Sequence, residues 1–219
     1  MINYQFSIRE SNSLGICKNI QKAPHEFFSS LIIDNCLNKN KRSFRKMEDK
    51  KRNVLFSKEQ INTRIEELGK IISEDYKGKN LYVLSLLRGS FVYAADLARA
   101  IDLNVKIGFM TTSSYDNCET SSGCVKVVSD ISDNIEGWDV LIVDDIVDTG
   151  FTMDFVFNHV KNLNPASVKT CVLLDKPSRR KVDINPDYCC FEIEDLFVVG
   201  YGLNYGDFYR NVPYVFNWE

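Results

Sequence analysis

The sequence predicts an α/β fold: a mostly parallel twisted sheet flanked by helices, carrying a small cap. Three observations predict it. Short β-prone apolar runs alternate with amphipathic stretches at helical spacing from residue 53 onward. The runs at 81–87 and 140–143 are largely apolar, as in strands buried on both faces of a parallel sheet. Polar loops bearing Gly, Ser, Thr and charged residues follow those two runs, where open parallel sheets bind ligands.

The elements can be justified in order. Ser57 with Gln60 three residues on is a capping box, and Ile61, Ile65, Leu68 and Ile72 mark one face of the helix it starts. Residues 81–87 form a strand, 88–90 a loop, and 91–100 a helix whose Ala94, Ala95 and Ala98 permit close packing. Residues 105–111 and 125–128 read as strands around a polar loop, and 134–138 turns the chain into the next strand. That strand, 140–143, ends at two adjacent carboxylates, Asp144 and Asp145. A tight loop with Asp148, Thr149, Gly150 and Thr152 follows, then a helix with Met153, Val156, Phe157 and Val160. Residues 168–174 form another core strand, and those from about 176 to 219 are expected to build the cap together with the N-terminal region.

The loop after residue 143 carries the chemistry. Thr149, Gly150 and Thr152 offer backbone N–H groups and hydroxyls to a phosphate at the positive end of the following helix. Gly150 lets the backbone approach closely or take a positive φ. Asp144 and Asp145 would repel phosphate but suit ribose hydroxyls or a divalent cation that carries phosphate with it. The plainer alternative is an acidic turn after a buried strand. A third carboxylate three residues on, followed by Thr-Gly-x-Thr, favours a phosphate-sugar site.

Composition excludes several classes. With 219 residues, 44% of them hydrophobic, the chain can bury one substantial core. A net charge of −3 argues against a general nucleic-acid or membrane binder, and no apolar run is long enough to span a bilayer. No basic stretch followed by an apolar run opens the chain, so no secretory signal is expected, and a cytoplasmic location is. Seven cysteines without C-x-x-C pairing read as reduced thiols, with Cys189 and Cys190 packing in a core strand. His25 and His159 are too few and scattered for a metal site, and a structural role is expected for His159. Charge is uneven: residues 1–52 hold 11 Lys/Arg against 5 Asp/Glu, while the remainder is net acidic. That segment reads as a basic, poorly ordered extension with one apolar patch at 27–37, and residues 53–219 as the domain proper. Met47 offers an alternative start just before the domain.

Asp-Asp-Ile-Val-Asp-Thr-Gly at 144–150 resembles the 5-phosphoribosyl-1-pyrophosphate (PRPP) motif of the type I phosphoribosyltransferases, most closely the branch acting on 6-oxopurines. Leu-Leu-Arg-Gly-Ser at 86–90 resembles that family's pyrophosphate loop, and Ser114-Tyr115 its mobile loop. Leu-Asp-Lys-Pro at 174–177 and Phe-Val-Val-Gly-Tyr-Gly-Leu at 197–203 resemble its base-binding segments. The similarity runs from about residue 54 to about 213.

The resemblance implies Mg²⁺-dependent exchange of pyrophosphate for a purine at C1 of the ribose. Asp148 is then the acceptor for the purine proton, and Asp144 and Asp145 hold the ribose hydroxyls directly or through Mg²⁺. Thr149, Gly150, Phe151 and Thr152 cradle the 5′-phosphate, Phe151 through its backbone. Ser114, Tyr115, Arg88, Gly89 and Arg210 face PRPP, the last three at its pyrophosphate. Lys176 donates to O6 of the base, Phe197 stacks on it, and the Val198 backbone meets its edge. The plainer alternatives are a surface lysine before a turn and a core phenylalanine. Asn204 stands at a base-side and metal position where the family usually has Asp, so weaker Mg²⁺ binding is expected. A homodimer or homotetramer, with no nucleic-acid or membrane partner, completes the expectation. The rival class is a non-catalytic regulator that senses PRPP or nucleotide on the same fold; Asp148 argues against it.

Overall fold

A computed structural model describes residues 51–115 and 124–218, without the side chains of Ser114, Tyr115 and Cys124. The basic extension lies outside the described residues up to Lys50. Strand β1 (Arg52–Phe56) nevertheless takes in Arg52, which the sequence assigned to that extension.

The capping box forms as expected, with Ser57 Oγ accepting from Gln60 N and Gln60 Oε1 from Ser57 N; helix α1 follows (Lys58–Asp75). Strand β2 (Leu81–Leu87), helix α2 (Phe91–Ala100), strands β3 (Lys106–Tyr115) and β4 (Cys124–Ser129) come next. Then come β5 (Asp139–Val147), α3 (Phe151–Lys161), β6 (Ser167–Asp175), a 3-10 turn (Pro177–Arg179), β7 (Tyr188–Glu192) and β8 (Val215–Trp218). Six strands form one sheet in the order β4-β3-β2-β5-β6-β7, with only β3 and β4 antiparallel. Strands β1 and β8 pair separately as an antiparallel two-stranded sheet.

Side-chain alternation gives each face of the sheet its own core. Leu81, Val83, Leu141, Val143, Cys171 and Leu173 point to the side covered by α1 and α2, where Ile61, Ile65, Leu68, Ile72 and Leu97 meet them. Tyr82, Leu84, Leu86, Val140, Ile142 and Val172 point to the side covered by α3 through Met153, Val156 and Val160. That is why the strand sequences are apolar throughout.

Three expectations need correction. Strand β5 does not end at the paired carboxylates; it runs on to Val147, because β6 continues to pair with it through Asp144↔Val172, Ile146↔Leu174 and Val147↔Asp175. The stretch after Lys176 is not wholly cap, since β7 joins the main sheet parallel to β6. Ala95 is exposed and packs nothing closely; the tight crossing of α1 and α2 comes instead from Gly69, where a Cβ would overlap Ala100.

From β2 the chain moves outward to β3 and β4, then returns to the other side of β2 as β5. Strand order thus reverses between β2 and β5, and their carboxyl ends diverge there to leave a crevice.

Candidate active site

The crevice holds a cavity of about 260 Å³. Leu86, Leu87 and Gly89 wall it from the end of β2, and Thr112 from β3. Asp144 to Gly150, with Thr152 and Met153, form the rest from β5 and the start of α3. Seven expected site residues therefore come together here: Gly89, Asp144, Asp145, Asp148, Thr149, Gly150 and Thr152.

Gly150 has φ +89° and stands at the N-terminus of α3, so the loop delivers its backbone N–H groups to the positive end of that helix. A side chain there would also press on Val182, Arg180 and Ile184, which back the loop. Arg180 donates to the Asp148 carbonyl at 2.8 Å, and Lys181 N to the Thr149 carbonyl at 2.9 Å. The loop is held from behind while its front faces the cavity.

Asp144 and Asp145 are desolvated at the cavity floor. Burial is the main cause that holds both carboxyls above the usual range, and the neighbouring Asp145 charge pushes Asp144 up further. Asp145 is eased down by Asp144, by the Ile146 N–H and by the Arg210 charge. Arg210 donates to the Gly202 carbonyl at 2.6 Å. Gly89 is wedged at this corner: a Cβ on it would overlap the Asp145 carboxylate, and one on Gly202 (φ +101°) would overlap the Gly89 carbonyl. Glycine at 89 therefore answers a demand for space beside a carboxylate. The Leu87–Arg88 peptide is cis, and the Arg88 side chain is exposed outside the cavity wall.

The residues expected on the base side are not among those that line the cavity. Lys176 is no surface lysine: its side chain is 8% exposed, with Nζ 4.0 Å from Asp148 Oδ2. Phe197 is no core residue: it is 60% exposed, stacks on Trp218 and meets Tyr205 edge-on. Val198 has its side chain in the core, so only its backbone can meet a ligand. The Asn204 amide donates to the Gly206 carbonyl within its own turn, and Asn204 is not part of the cavity wall. Phe151 lies beside the wall rather than in it. The Ser114 and Tyr115 side chains lie outside the described residues.

Sequence reasoning missed Arg179, Arg180 and Asp195, and gave Asp175 no role of its own within the 174–177 segment. Arg179 donates to Asp148 Oδ1 at 3.0 Å and to Asp195 Oδ2 at 3.4 Å, and Arg180 pairs with Asp175 where both are nearly buried. The adjacent arginines after Lys-Pro-Ser were a visible signal, but their return to Asp148 depends on the turn that follows Pro177. The expected structural roles do appear for His159, which pairs with Asp130 at 2.9 Å, and for Cys190, which is buried. Cys189 is only partly buried.

A divalent cation fits the paired carboxylates. Among the described residues no cluster of three or more His, Cys, Asp or Glu stands ready to hold a metal alone. Mg²⁺ commonly takes one or two carboxylates and completes its shell with substrate oxygens and water, and two desolvated acids beside a helix N-terminus offer that.

Comparison with known proteins points the same way. The family profile of the phosphoribosyl transferase domain matches residues 55–206. A hypoxanthine-guanine phosphoribosyltransferase of Streptococcus agalactiae is 44% identical over 169 residues, 77% of this chain and 94% of its own. A hypoxanthine phosphoribosyltransferase of Haemophilus influenzae is 47% identical over 165 residues, covering 74% and 92%. Among solved structures, a hypoxanthine phosphoribosyltransferase of Staphylococcus aureus superposes with a TM-score of 0.74 at 39% identity, covering 78% of this chain and 93% of that one. Among the described residues no helix is long and apolar enough to cross a membrane.

Proposed function

This chain belongs to the phosphoribosyl transferase domain family, and from that premise we propose that it moves the 5-phosphoribosyl group of PRPP onto N9 of a 6-oxopurine. The bases proposed are hypoxanthine and guanine. The N9–C1 bond forms, the bond from C1 to pyrophosphate breaks, and the products are a nucleoside monophosphate and pyrophosphate.

One observation carries the choice of base: a deeply buried ammonium, Lys176, beside the carboxylate that opens the phosphate loop, Asp148. A donor and an acceptor held together match the O6 and the N7 proton of a 6-oxopurine; adenine would turn its amino donor toward Lys176. Phe197 presents an open ring face for stacking. Thr149 to Thr152 hold the 5′-phosphate at the start of α3. Asp144 and Asp145 orient the ribose hydroxyls and would hold Mg²⁺, which when bound neutralises charge on the departing pyrophosphate. Gly89, Arg88 and Arg210 border that side, where fixed positive charge is most useful as C1 becomes oxocarbenium-like. Asp148 receives the purine proton as N9 attacks. Purine salvage in a cytoplasmic setting, by a homodimer or homotetramer, completes the reading.

The test is direct: protein with PRPP and Mg²⁺, offered hypoxanthine, guanine, xanthine or adenine in turn, with nucleotide formation followed. Transfer to hypoxanthine and none to adenine is the expected result. Equal use of adenine would remove the role given to Lys176, and no transfer to any base would leave the site a sensor.

A further inference from the structure

The charges at the base-side rim close into a ring. Lys176 Nζ stands 4.0 Å from Asp148 Oδ2 and 3.9 Å from Asp195 Oδ1. Arg179 joins the same two carboxylates from the other side, through Nε at 3.0 Å to Asp148 Oδ1 and Nη1 at 3.4 Å to Asp195 Oδ2. Each charge has two opposite neighbours, and the four come from three segments: the loop after β5, the turn after β6 and the loop after β7.

The distances assign different tasks. An ammonium as buried as that of Lys176 is costly unless compensated. Its two carboxylate neighbours compensate it, yet both lie beyond hydrogen-bond range, so neither consumes its N–H donors. Those donors stay available to an acceptor on a ligand. Arg179, by contrast, makes a hydrogen bond to Asp148 and fixes that carboxylate through one oxygen, leaving the other toward Lys176. Asp195 sits two residues before Phe197 and ties the stacking segment to both cations.

We propose that Arg179 and Asp195 are positioning residues for the transfer reaction. Asp195 holds Lys176 off Asp148 so that the ammonium can serve the base, and Arg179 fixes the Asp148 carboxylate for the purine proton. This rests on the 6-oxopurine reading above. Without Asp195, Lys176 collapses onto Asp148 and spends its donors there; without Arg179, Asp148 loses its fixed orientation.

The two residues should fail in different ways. Asp195→Asn is expected to raise the KM for hypoxanthine about tenfold, the equivalent of one lost interaction to a charged group, with the KM for PRPP within about twofold. Arg179→Gln is expected to lower kcat about tenfold with both KM values near wild type, and Arg179→Lys to recover only part, since an ammonium lacks the fork that spans two carboxylates. The double variant should lose less than the product of the single losses. Equal rises in both KM values, or a fall in Tm that accounts for the lost activity, would make the ring mere fold support and overturn the proposal. A calorimetric arm separates this from the reading beneath it: Asp195→Asn should weaken inosine 5′-monophosphate and leave ribose 5-phosphate unchanged. Equal weakening of the two, or of neither, overturns the ring. A wild type that binds the nucleotide without turnover overturns the catalytic reading and leaves calorimetry to decide the ring; one that does neither overturns both.

Discussion

Asp148 has both carboxylate oxygens facing cations, Oδ1 bonded to Arg179 and Oδ2 opposite Lys176. Each oxygen keeps a second lone pair, so the group can still accept a proton from a base laid across the rim. Asp148→Asn preserves the shape and an acceptor for Arg179 but cannot take the proton. It should lower turnover by roughly two to four orders of magnitude, with PRPP binding nearly unchanged. Retention of more than a third of wild-type turnover would remove Asp148 from the mechanism. Asp144 carries a different consequence. Its carboxyl is held well above the usual range by burial and by Asp145. A carboxyl raised in the folded state binds its proton more tightly folded than unfolded. It therefore adds stability below the ordinary carboxylate range near pH 4 and loses that contribution as pH rises through its folded value. In Mg²⁺-free buffer, Asp144→Asn should raise Tm at pH 7.5, by roughly 3 °C for each kcal/mol relieved, and the gain should shrink toward pH 5. A gain that grows on acidification would contradict this sign. The same substitution should weaken activity, since the strain belongs to the site.

The segment after β6 acts as a clamp on the loop that opens at Asp148. Within ten residues it supplies Lys176 to the ring and Arg180 to the Asp148 carbonyl, with Val182 and Ile184 behind Gly150. Arg180 also pairs with Asp175, both side chains 11% exposed. Arg180→Met would leave that carboxylate buried without a partner and the loop carbonyl without a donor, at a cost of about 3–5 kcal/mol. A Tm lower by roughly 10 °C is expected, together with a raised KM for PRPP as the loop loosens. A variant as stable as wild type would show that the pair is dispensable. At this scale the sequence was uneven as a guide. The bounds of β2 and α2, and the Ser57–Gln60 box, were legible because they rest on neighbours in sequence. The paired acids were legible as a site, but their place inside β5 was not, since the strand is prolonged by pairing with β6. Likewise the strand holding Cys189 and Cys190 was legible, but nothing local told that it would join the main sheet beside β6, or that Arg179 would reach back 31 residues to Asp148. For Phe197 the sequence left a core role open beside the stacking one, because an apolar residue in an apolar run says nothing about which face stays open; its exposure favours the second.

In the whole molecule, every part of the site is drawn from the carboxyl edge of the sheet. The cavity walls fall between Leu86 and Met153, Asp148 among them, and the other three members of the ring and the Arg210 corner follow in sequence. The cap is closed by β1 against β8, with Arg52 opposite Trp218 and Val54 opposite Phe216. The Arg52 guanidinium lies over the Tyr209 and Phe216 rings, so the chain needs to be intact from about this residue to complete the cap. Residues 1–46 precede all of these elements and are basic, whereas the body is acidic. Their charge pattern and weak periodicity motivate a test of whether the domain needs them. A shortened chain beginning at Met47 keeps β1 whole and is therefore expected to fold with a Tm near that of the full chain. It should also transfer phosphoribose to hypoxanthine at a similar rate and keep its sedimentation state. Measuring all three matters because they fail separately. Loss of folding would show that the apolar patch at 27–37 packs on the body; loss of association alone would place that patch at a subunit contact. A fall in turnover with folding and association intact would show that the basic segment serves the site, whose phosphorylated substrate carries the opposite charge.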